Sequence, residues 1–206
     1  MKALILVDLQ NDFVEGGALA VPRGKEVLPL ANALQVKYDL VVATQDWHPA
    51  DHGSFAANHA GKKVFEVIDL HGLPQVLWPV HCVENTHGAD FVPGLDREKW
   101  AAVFRKGTDP AIDSYSGFFD NGKRRATGLG DFLKARGVTH VDVLGLATDY
   151  CVKFTALDAA ALGFHTALVE DASRGVGIQP EDIPNAIEEM RHAGVEIKTS
   201  GEIIGG

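Results

Sequence analysis

Short runs of apolar residues alternate along the chain with stretches in which apolar residues recur every three or four positions. Nearly every position in the runs is apolar, which predicts strands buried on both faces over residues 3–7, 40–44, 102–104, 141–146, 166–169 and 195–198. The stretches between them predict helices over residues 25–37, 129–136, 149–162 and 181–192. This alternation predicts an α/β fold, a three-layer sandwich around a doubly wound, mainly parallel, six-stranded sheet.

One segment interrupts the alternation. Residues 47–99 show little periodicity and contain several histidines, prolines and glycines. Long irregular segments in compact domains are usually functional. We therefore expect residues 1–206 to form a single domain, in which the segment around 47–99 binds a metal and forms a wall or lid of the active site.

Composition and charge limit the partners. Hydrophobic residues make up 46% of the 206 residues, which is typical of a soluble globular protein. The formal net charge of −9 disfavours nucleic acid or an anionic membrane as the main partner. No apolar run approaches the roughly 20 residues that span a bilayer. The only two cysteines, Cys82 and Cys151, cannot form a disulfide framework, which favours a reducing compartment. These features predict a cytoplasmic enzyme but do not select its substrate.

A charged or reactive residue follows four of the predicted strands. Asp8 ends the first strand and Asp46 lies just beyond the second. Lys106 follows the third, and Cys151 lies in the opening turn of the helix after the fourth. Open parallel sheets bind ligands beyond the carboxyl ends of their strands. The sequence therefore predicts that these four residues meet at one edge of the sheet.

Cys151 is the predicted nucleophile. The start of a helix lowers the pKa of a thiol, and its free N–H groups can hold an oxyanion. Asp8 is the candidate base that takes the thiol proton, and Lys106 is a cation that would stabilise the thiolate. This combination predicts a cysteine-dependent amidohydrolase of small carboxamides. The structural alternatives are a buried packing cysteine, a turn-capping aspartate and a solvated lysine.

A second group of residues predicts a metal site. Asp46 and His48 are two positions apart in extended chain and face the same way, and His81 can complete the set. Two histidines and one carboxylate suit Zn²⁺, Fe²⁺ or Mn²⁺ and leave positions open for water or substrate. His52 and Ser54 are candidate additional groups around the ion. Cys82 is predicted to be a packing residue, because a Cys-rich zinc site needs more cysteines nearby.

Two other motifs are rejected. Residues 117–124, GFFDNGKR, match a phosphate-binding loop up to the lysine but then have Arg124 where a Ser or Thr should hold Mg²⁺. No buried strand leads into this stretch. Residues 8–11, DLQN, lack the second aspartate of a phosphatase-type Asp-x-Asp motif.

Seven motifs together resemble the isochorismatase-like superfamily and, within it, the nicotinamidase/pyrazinamidase family. They are VDLQNDF at 7–13, GGAL at 16–19, TQDWHP at 44–49, WPVHCV at 78–83, RKG at 105–107, SYSGF at 114–118 and GLATDYCV at 145–152. The resemblance covers nearly the whole chain. It implies hydrolysis of nicotinamide to nicotinate and ammonia through a thioester in NAD salvage, and often hydrolysis of pyrazinamide.

The resemblance also implies roles for particular residues. The implied triad is Asp8, Lys106 and Cys151, and the implied ligands of one divalent ion are Asp46, His48 and His81. A cis peptide would precede Ala147, whose amide would form the oxyanion hole with that of Cys151. The ring pocket would be lined by Phe13, Leu19, Trp78 and Tyr115, and the ion would hold the pyridine nitrogen and waters. A homo-oligomer is compatible with the resemblance.

Three alternatives remain at this point. The first is a related amidase acting on a carbamoyl or ureido substrate, although such relatives generally lack the Asp46, His48 and His81 set. A vinyl-ether hydrolase of the isochorismatase type would have no use for Cys151. A non-catalytic binding protein on the same fold is disfavoured by the intact triad.

Overall fold

Six parallel strands form the central sheet of the computed structural model, which describes residues 1–205. The strands of the chain are β1 (Lys2–Val7), β2 (Leu40–Asp46), β3 (Val67–Leu70), β4 (Leu73–Val76), β5 (Trp100–Lys106), β6 (His140–Leu146), β7 (His165–Arg174) and β8 (Glu196–Lys198). The sheet has the order β5-β2-β1-β6-β7-β8, and β3 and β4 form a separate antiparallel hairpin. The predicted six-stranded parallel sheet is therefore confirmed.

Helices cover both faces of this sheet. They are α1 (Val27–Gln35), α2 (Leu129–Ala135), α3 (Lys153–Ala161), α4 (Asp182–His192) and α5 (Ser200–Gly205). Alternate residues of β1 point to opposite faces: Leu4 and Leu6 pack with α1, whereas Ile5 packs in a second cluster with α2, α3 and α4. Strands buried on both faces need apolar side chains at nearly every position, which explains the continuous apolar runs.

Several element boundaries differ from those predicted. The helix predicted over 149–162 begins with a π-helical turn, Thr148–Val152, and becomes α-helical only at Lys153. The strand predicted over 102–104 extends over Trp100–Lys106. This strand lies at the edge of the sheet, where alternate residues stay exposed, so its apolar run is shorter than the strand. The hairpin and α5 were not predicted.

The segment around 47–99 contains the hairpin and two short 3-10 turns, Ala56–Asn58 and His87–Ala89. Backbone hydrogen bonds hold its remaining parts against one another. The N–H of His48 donates to the carbonyl of Cys82, and the carbonyl of His48 accepts the N–H of Glu84. This pairing brings the ends of two distant stretches together beside β2. Within residues 1–205, no helix has the length and apolar character that crossing a bilayer requires.

The close contact between β6 and β1 requires a glycine at position 145. Its φ is +129°, and a Cβ at this position would lie 2.2 Å from the carbonyl oxygen of Val7. Gly145→Ala should lower the free energy of unfolding by about 2 to 4 kcal/mol, because backbone strain and overpacking add. Urea denaturation measures the change.

Gly201→Ala is the matched control, because a Cβ there would meet only the Thr199 hydroxyl, at 3.8 Å. Its stability should stay the same or rise slightly. Equal stability of the Gly145 variant and the wild-type protein would contradict this account of the β1–β6 contact.

Candidate active site

The side chain of Lys106, at the end of β5, contacts residues at the ends of three other strands, β1, β2 and β6. Its Nζ lies 2.9 Å from Asp8 Oδ2, 3.0 Å from Asp46 Oδ1 and 3.4 Å from Cys151 Sγ, and it donates to the carbonyl of Ser114 at 2.9 Å. All of these side chains are buried. The predicted convergence of four strand-end residues is therefore observed, and the Ser114 carbonyl is a further partner that the sequence did not indicate.

Burial and the neighbouring carboxylates shift the pKa of Lys106 in opposite directions. Burial alone would lower its pKa, but the carboxylates of Asp46 and Asp8 raise the pKa well above its ordinary value. Lys106 is therefore positively charged, and it is the cation that balances the buried carboxylates around it.

Asp8 is held at the end of β1 with a positive φ of 49°. Its Oδ1 accepts the hydroxyl of Thr44 at 2.6 Å. Its Oδ2 forms the ion pair with Lys106, yet no donor in residues 1–205 meets that oxygen at a hydrogen-bonding angle. Burial raises the pKa of Asp8, and the charge of Lys106 offsets this only in part. A buried carboxylate with a free lone pair and a raised pKa is suited to accept a proton.

The pKa of the Cys151 thiol differs from the one that the sequence predicts. The sequence predicts a lowered thiol pKa, but burial raises the pKa of Cys151 well above its ordinary value. Lys106 lowers the pKa, while the nearby carboxylates of Asp8 and Asp46 raise it further. The prediction was wrong because helix position was weighed without the desolvation of the site. The thiol is protonated at rest and needs a base before it can attack.

Asp46, His48 and His81 place their ligand atoms within 4.8 Å of one another. Nε2 of His48 lies 2.9 Å from Asp46 Oδ2, and Nε2 of His81 lies 3.3 Å from the same oxygen. Nδ1 of His48 lies 2.8 Å from the carbonyl of Gly107, and Nδ1 of His81 lies 2.7 Å from that of Pro79. A carbonyl only accepts, so each Nδ1 carries a hydrogen, and in the neutral form of each imidazole the lone pair of Nε2 would point at the carboxylate.

A lone pair and a carboxylate oxygen at these distances repel each other unless a proton or a cation lies between them. The donor set of two imidazoles and one carboxylate therefore fits a divalent ion. Gly107 makes the arrangement sterically feasible, because a Cβ there would lie 2.3 Å from Cε1 of His48.

His52 and Ser54 lie beside this group. Nδ1 of His52 is 2.7 Å from the hydroxyl of Ser54, and the His52 ring centroid is 4.2 Å from that of His48. Nε2 of His52 is buried and has no hydrogen-bond partner in the described part of the chain. Burial lowers the pKa of His52 to about 4, which keeps this nitrogen available as a ligand. Contact of either residue with an ion stays a prediction.

The predicted pocket residues line one cavity together with Cys151. Phe13, Leu19, Trp78 and Tyr115 all contribute to its walls. The indole N–H of Trp78 donates to the Tyr115 hydroxyl at 3.2 Å, which fixes two of these walls relative to each other. The cavity is further lined by three residues that sequence reasoning missed, which are Asp113, Tyr150 and Val176.

Ala147 lies between β6 and the turn that carries Cys151. The Leu146–Ala147 peptide is cis, as the family resemblance implies. The carbonyl of Ala147 accepts the N–H groups of Tyr150 and Val152, each at 3.0 Å. The N–H of Ala147 itself has no protein acceptor within residues 1–205. A free N–H in the wall of the cavity, beside a nucleophile, is suited to bind an oxyanion.

Known protein families provide an independent comparison. A family model for the isochorismatase domain matches residues 2–202. The chain belongs to the isochorismatase family. The resemblance inferred from the sequence motifs is therefore confirmed.

Nicotinamidases are among the isochorismatase-family relatives that match over nearly the full length. The nicotinamidase of Escherichia coli strain K12 is 52% identical over 202 residues, which cover 96% of this chain and 94% of the relative. A nicotinamidase and pyrazinamidase structure from Acinetobacter baumanii has a TM-score of 0.95 and 44% identity, covering 98% of this chain and 97% of the other. The pyrazinamidase of Pyrococcus horikoshii, solved in complex with zinc, has a TM-score of 0.79 and 40% identity, covering 96% and 98%.

The effect of Asp8 on the thiol can be measured without turnover. Asp8 raises the pKa of Cys151, so Asp8→Asn should lower that pKa and speed alkylation of Cys151 by iodoacetamide at neutral pH. The thiolate fraction should rise about tenfold for each unit by which the pKa falls, and the rate should rise by about three- to fourfold, because a thiolate of lower pKa is a weaker nucleophile. Mass spectrometry of the Cys151 peptide across a pH series measures the rate.

Asp142→Asn is the control, because this buried carboxylate accepts the Tyr38 hydroxyl far from the thiol. It should leave the alkylation profile of Cys151 unchanged. An unchanged profile in the Asp8 variant would show that Asp8 does not act on the thiol.

Proposed function

We propose that this chain is a metal-containing cysteine amidohydrolase that converts nicotinamide to nicotinate and ammonia in NAD salvage, and that it also converts pyrazinamide to pyrazinoate. The observation that carries the proposal is the contact of one buried ammonium group, that of Lys106, with Asp8, Asp46 and Cys151. Through Lys106, the proposed nucleophile Cys151 and the proposed base Asp8 lie beside Asp46, one of the proposed metal ligands. The full-length similarity to nicotinamidases supports the same substrate.

The cavity suits a flat heteroaromatic ring. Trp78 and Tyr150 meet edge to face with centroids 4.7 Å apart, and Tyr115 lies 5.5 Å from Tyr150. Aromatic walls of this kind bury ring faces without requiring polar groups on the ring. The carboxamide is then directed at the Cys151 end of the cavity.

Asp46, His48 and His81 are the proposed ligands of one divalent ion. Such an ion would supply a Lewis-acid site for the ring nitrogen of the substrate and for water. His52 and Ser54 are proposed as additional groups around it, with Ser54 orienting His52 through their hydrogen bond. The proposal covers Zn²⁺, Fe²⁺ and Mn²⁺, which share this donor chemistry.

The first half of the reaction forms a thioester. Asp8 takes the proton of the Cys151 thiol, and the sulfur attacks the carbonyl carbon of the amide. The oxyanion binds to the N–H groups of Ala147 and Cys151. Protonated Asp8 then gives its proton to the amide nitrogen, the carbon–nitrogen bond breaks, and ammonia leaves. Lys106 remains charged throughout and stabilises the negative charge as it moves from carboxylate to sulfur.

The second half hydrolyses the thioester. Asp8 accepts a proton from a water molecule, which attacks the thioester carbon and forms a second oxyanion at the same two N–H groups. The carbon–sulfur bond breaks and the sulfur regains a proton from Asp8. The carboxylic acid leaves as its anion after it releases its own proton to bulk water. The raised pKa of Asp8 matches this alternation between base and acid. A single-domain enzyme in a cytoplasmic location, with free thiols at Cys82 and Cys151, completes the proposal.

Replacement of the nucleophile tests covalent catalysis. Cys151→Ala should lower ammonia release from nicotinamide at least about a thousandfold, because no other thiol reaches the cavity. Cys82→Ala, which changes a buried cysteine outside the cavity, should retain most of the activity. The assay should include nicotinamide, pyrazinamide and a ureido acid. Faster turnover of the ureido acid, or substantial activity of the Cys151 variant, would overturn the proposal.

The metal ligands are tested by metal content. The gently purified protein should contain about one divalent ion per chain by elemental mass spectrometry. His81→Ala should bind that ion at least about tenfold more weakly, because the set loses one of its three ligands. His192→Ala removes an exposed histidine that lies beside Glu188 and should leave the metal content unchanged. Equal metal content in all three proteins would exclude His81 as a ligand.

A further inference from the structure

Asp149 forms a link that the proposed chemistry does not use. Its Oδ1 accepts the N–H of Val176 at 2.9 Å, and its Oδ2 accepts the N–H of Gly177 at 2.8 Å. The side chain is buried, and among residues 1–205 no cation lies within ion-pair distance of it. Two backbone N–H groups therefore bind its side-chain oxygens, and buried hydrogen bonds of this kind are costly to disrupt.

The loop that donates these hydrogen bonds packs tightly against Asp149. Gly175, which precedes Val176, follows the end of β7 directly. A Cβ on Gly175 would lie 3.1 Å from Asp149 Oδ1 and 2.4 Å from Cγ1 of Ile183. A side chain at position 175 would therefore crowd both Ile183 and the carboxylate, so the loop and Asp149 are in close contact.

The link joins two segments that each contribute residues to the same cavity. Asp149 lies in the π-helical turn Thr148–Val152, two residues before the nucleophile Cys151. Val176 lines the cavity that Cys151 also lines. The link therefore fixes the distance between the turn that carries the sulfur and one apolar wall of the ring pocket.

We infer that Asp149 is a positioning residue that holds Val176 against the substrate ring and so limits the ring substituents that the enzyme accepts. This inference rests on the proposed hydrolysis of nicotinamide. Removing one of the two accepted hydrogen bonds would let the loop move away from the turn. The ring of nicotinamide would then lose contact with Val176, while a substituted ring would gain space.

Substrate discrimination tests the inference better than activity alone. The substrates are nicotinamide and the four nicotinamides that carry one methyl group on a ring carbon. Ammonia release gives kcat/KM for each, and the ratio of a methylated substrate to nicotinamide is taken on one enzyme sample. The amount of folded enzyme cancels in this ratio, so a loss of stability alone does not change it.

Val176→Ala first identifies the methyl isomer that meets this wall, because its ratio should rise about tenfold when the wall is trimmed. Asp149→Asn keeps the shape of the side chain but exchanges one acceptor for a donor, and Asp149→Ser is a second, smaller variant. Either should raise the ratio for the same isomer. Adding Asp149→Asn to Val176→Ala should raise that ratio less than the product of the two single effects, since both act on one contact.

Asp142→Asn is the matched control for the loss of a buried carboxylate, and it should leave every ratio at its wild-type value. The inference is overturned if the Asp149 variants hydrolyse nicotinamide with unchanged ratios, or if they favour a different isomer from Val176→Ala. Failure of the wild-type enzyme to release ammonia from nicotinamide would instead overturn the proposed function.

Discussion

One buried ammonium group balances the charges on which the site depends. Two carboxylates and a thiol lie within about hydrogen-bonding distance of Lys106 Nζ, and all are removed from water. Without this cation, the desolvated carboxylates would repel each other and take up protons. With it, Asp46 remains ionised: burial alone would raise the pKa of Asp46, but the positive charges of a protonated His48 and of Lys106 lower it well below its ordinary value. The proposed metal ligand Asp46 and the proposed nucleophile Cys151 thus share one counter-ion.

Parallel strand topology made much of this arrangement predictable. Continuous apolar runs identify the buried strands, and the residues that follow them must meet at one edge because parallel strands end together. Asp8, Asp46, Lys106 and Cys151 were found in this way. Asp113 was not, since it lies in irregular chain that joins the cavity through tertiary contacts. Val176 was not, because β7 extends to Arg174, whereas the apolar run predicted a strand that ends at residue 169. Tyr150 was missed for a different reason, because a tyrosine beside a nucleophile has no spacing that distinguishes a wall residue from a packing residue.

Electrostatics was the least predictable property. The position of Cys151 near a helix start suggested a lowered thiol pKa, yet the first turn is π-helical, buried and close to two carboxylates. Desolvation depends on what covers a residue in three dimensions, and local sequence does not contain that information. The proposed metal ligands also differ in how far local sequence predicts them. Asp46 and His48 follow from their spacing in extended chain, whereas His81 depends on the backbone pairing of His48 with Cys82 and Glu84.

The end of β5 has a wider consequence. Lys106 provides the shared cation, and the adjacent Gly107 provides the carbonyl that orients His48, so one dipeptide serves both halves of the site. Yet β5 is an edge strand that pairs with β2 alone. Edge elements open locally more readily than the centre of a sheet. Detachment of this one peripheral strand would therefore separate Lys106 and Gly107 from the rest of the site even while the central core stays folded.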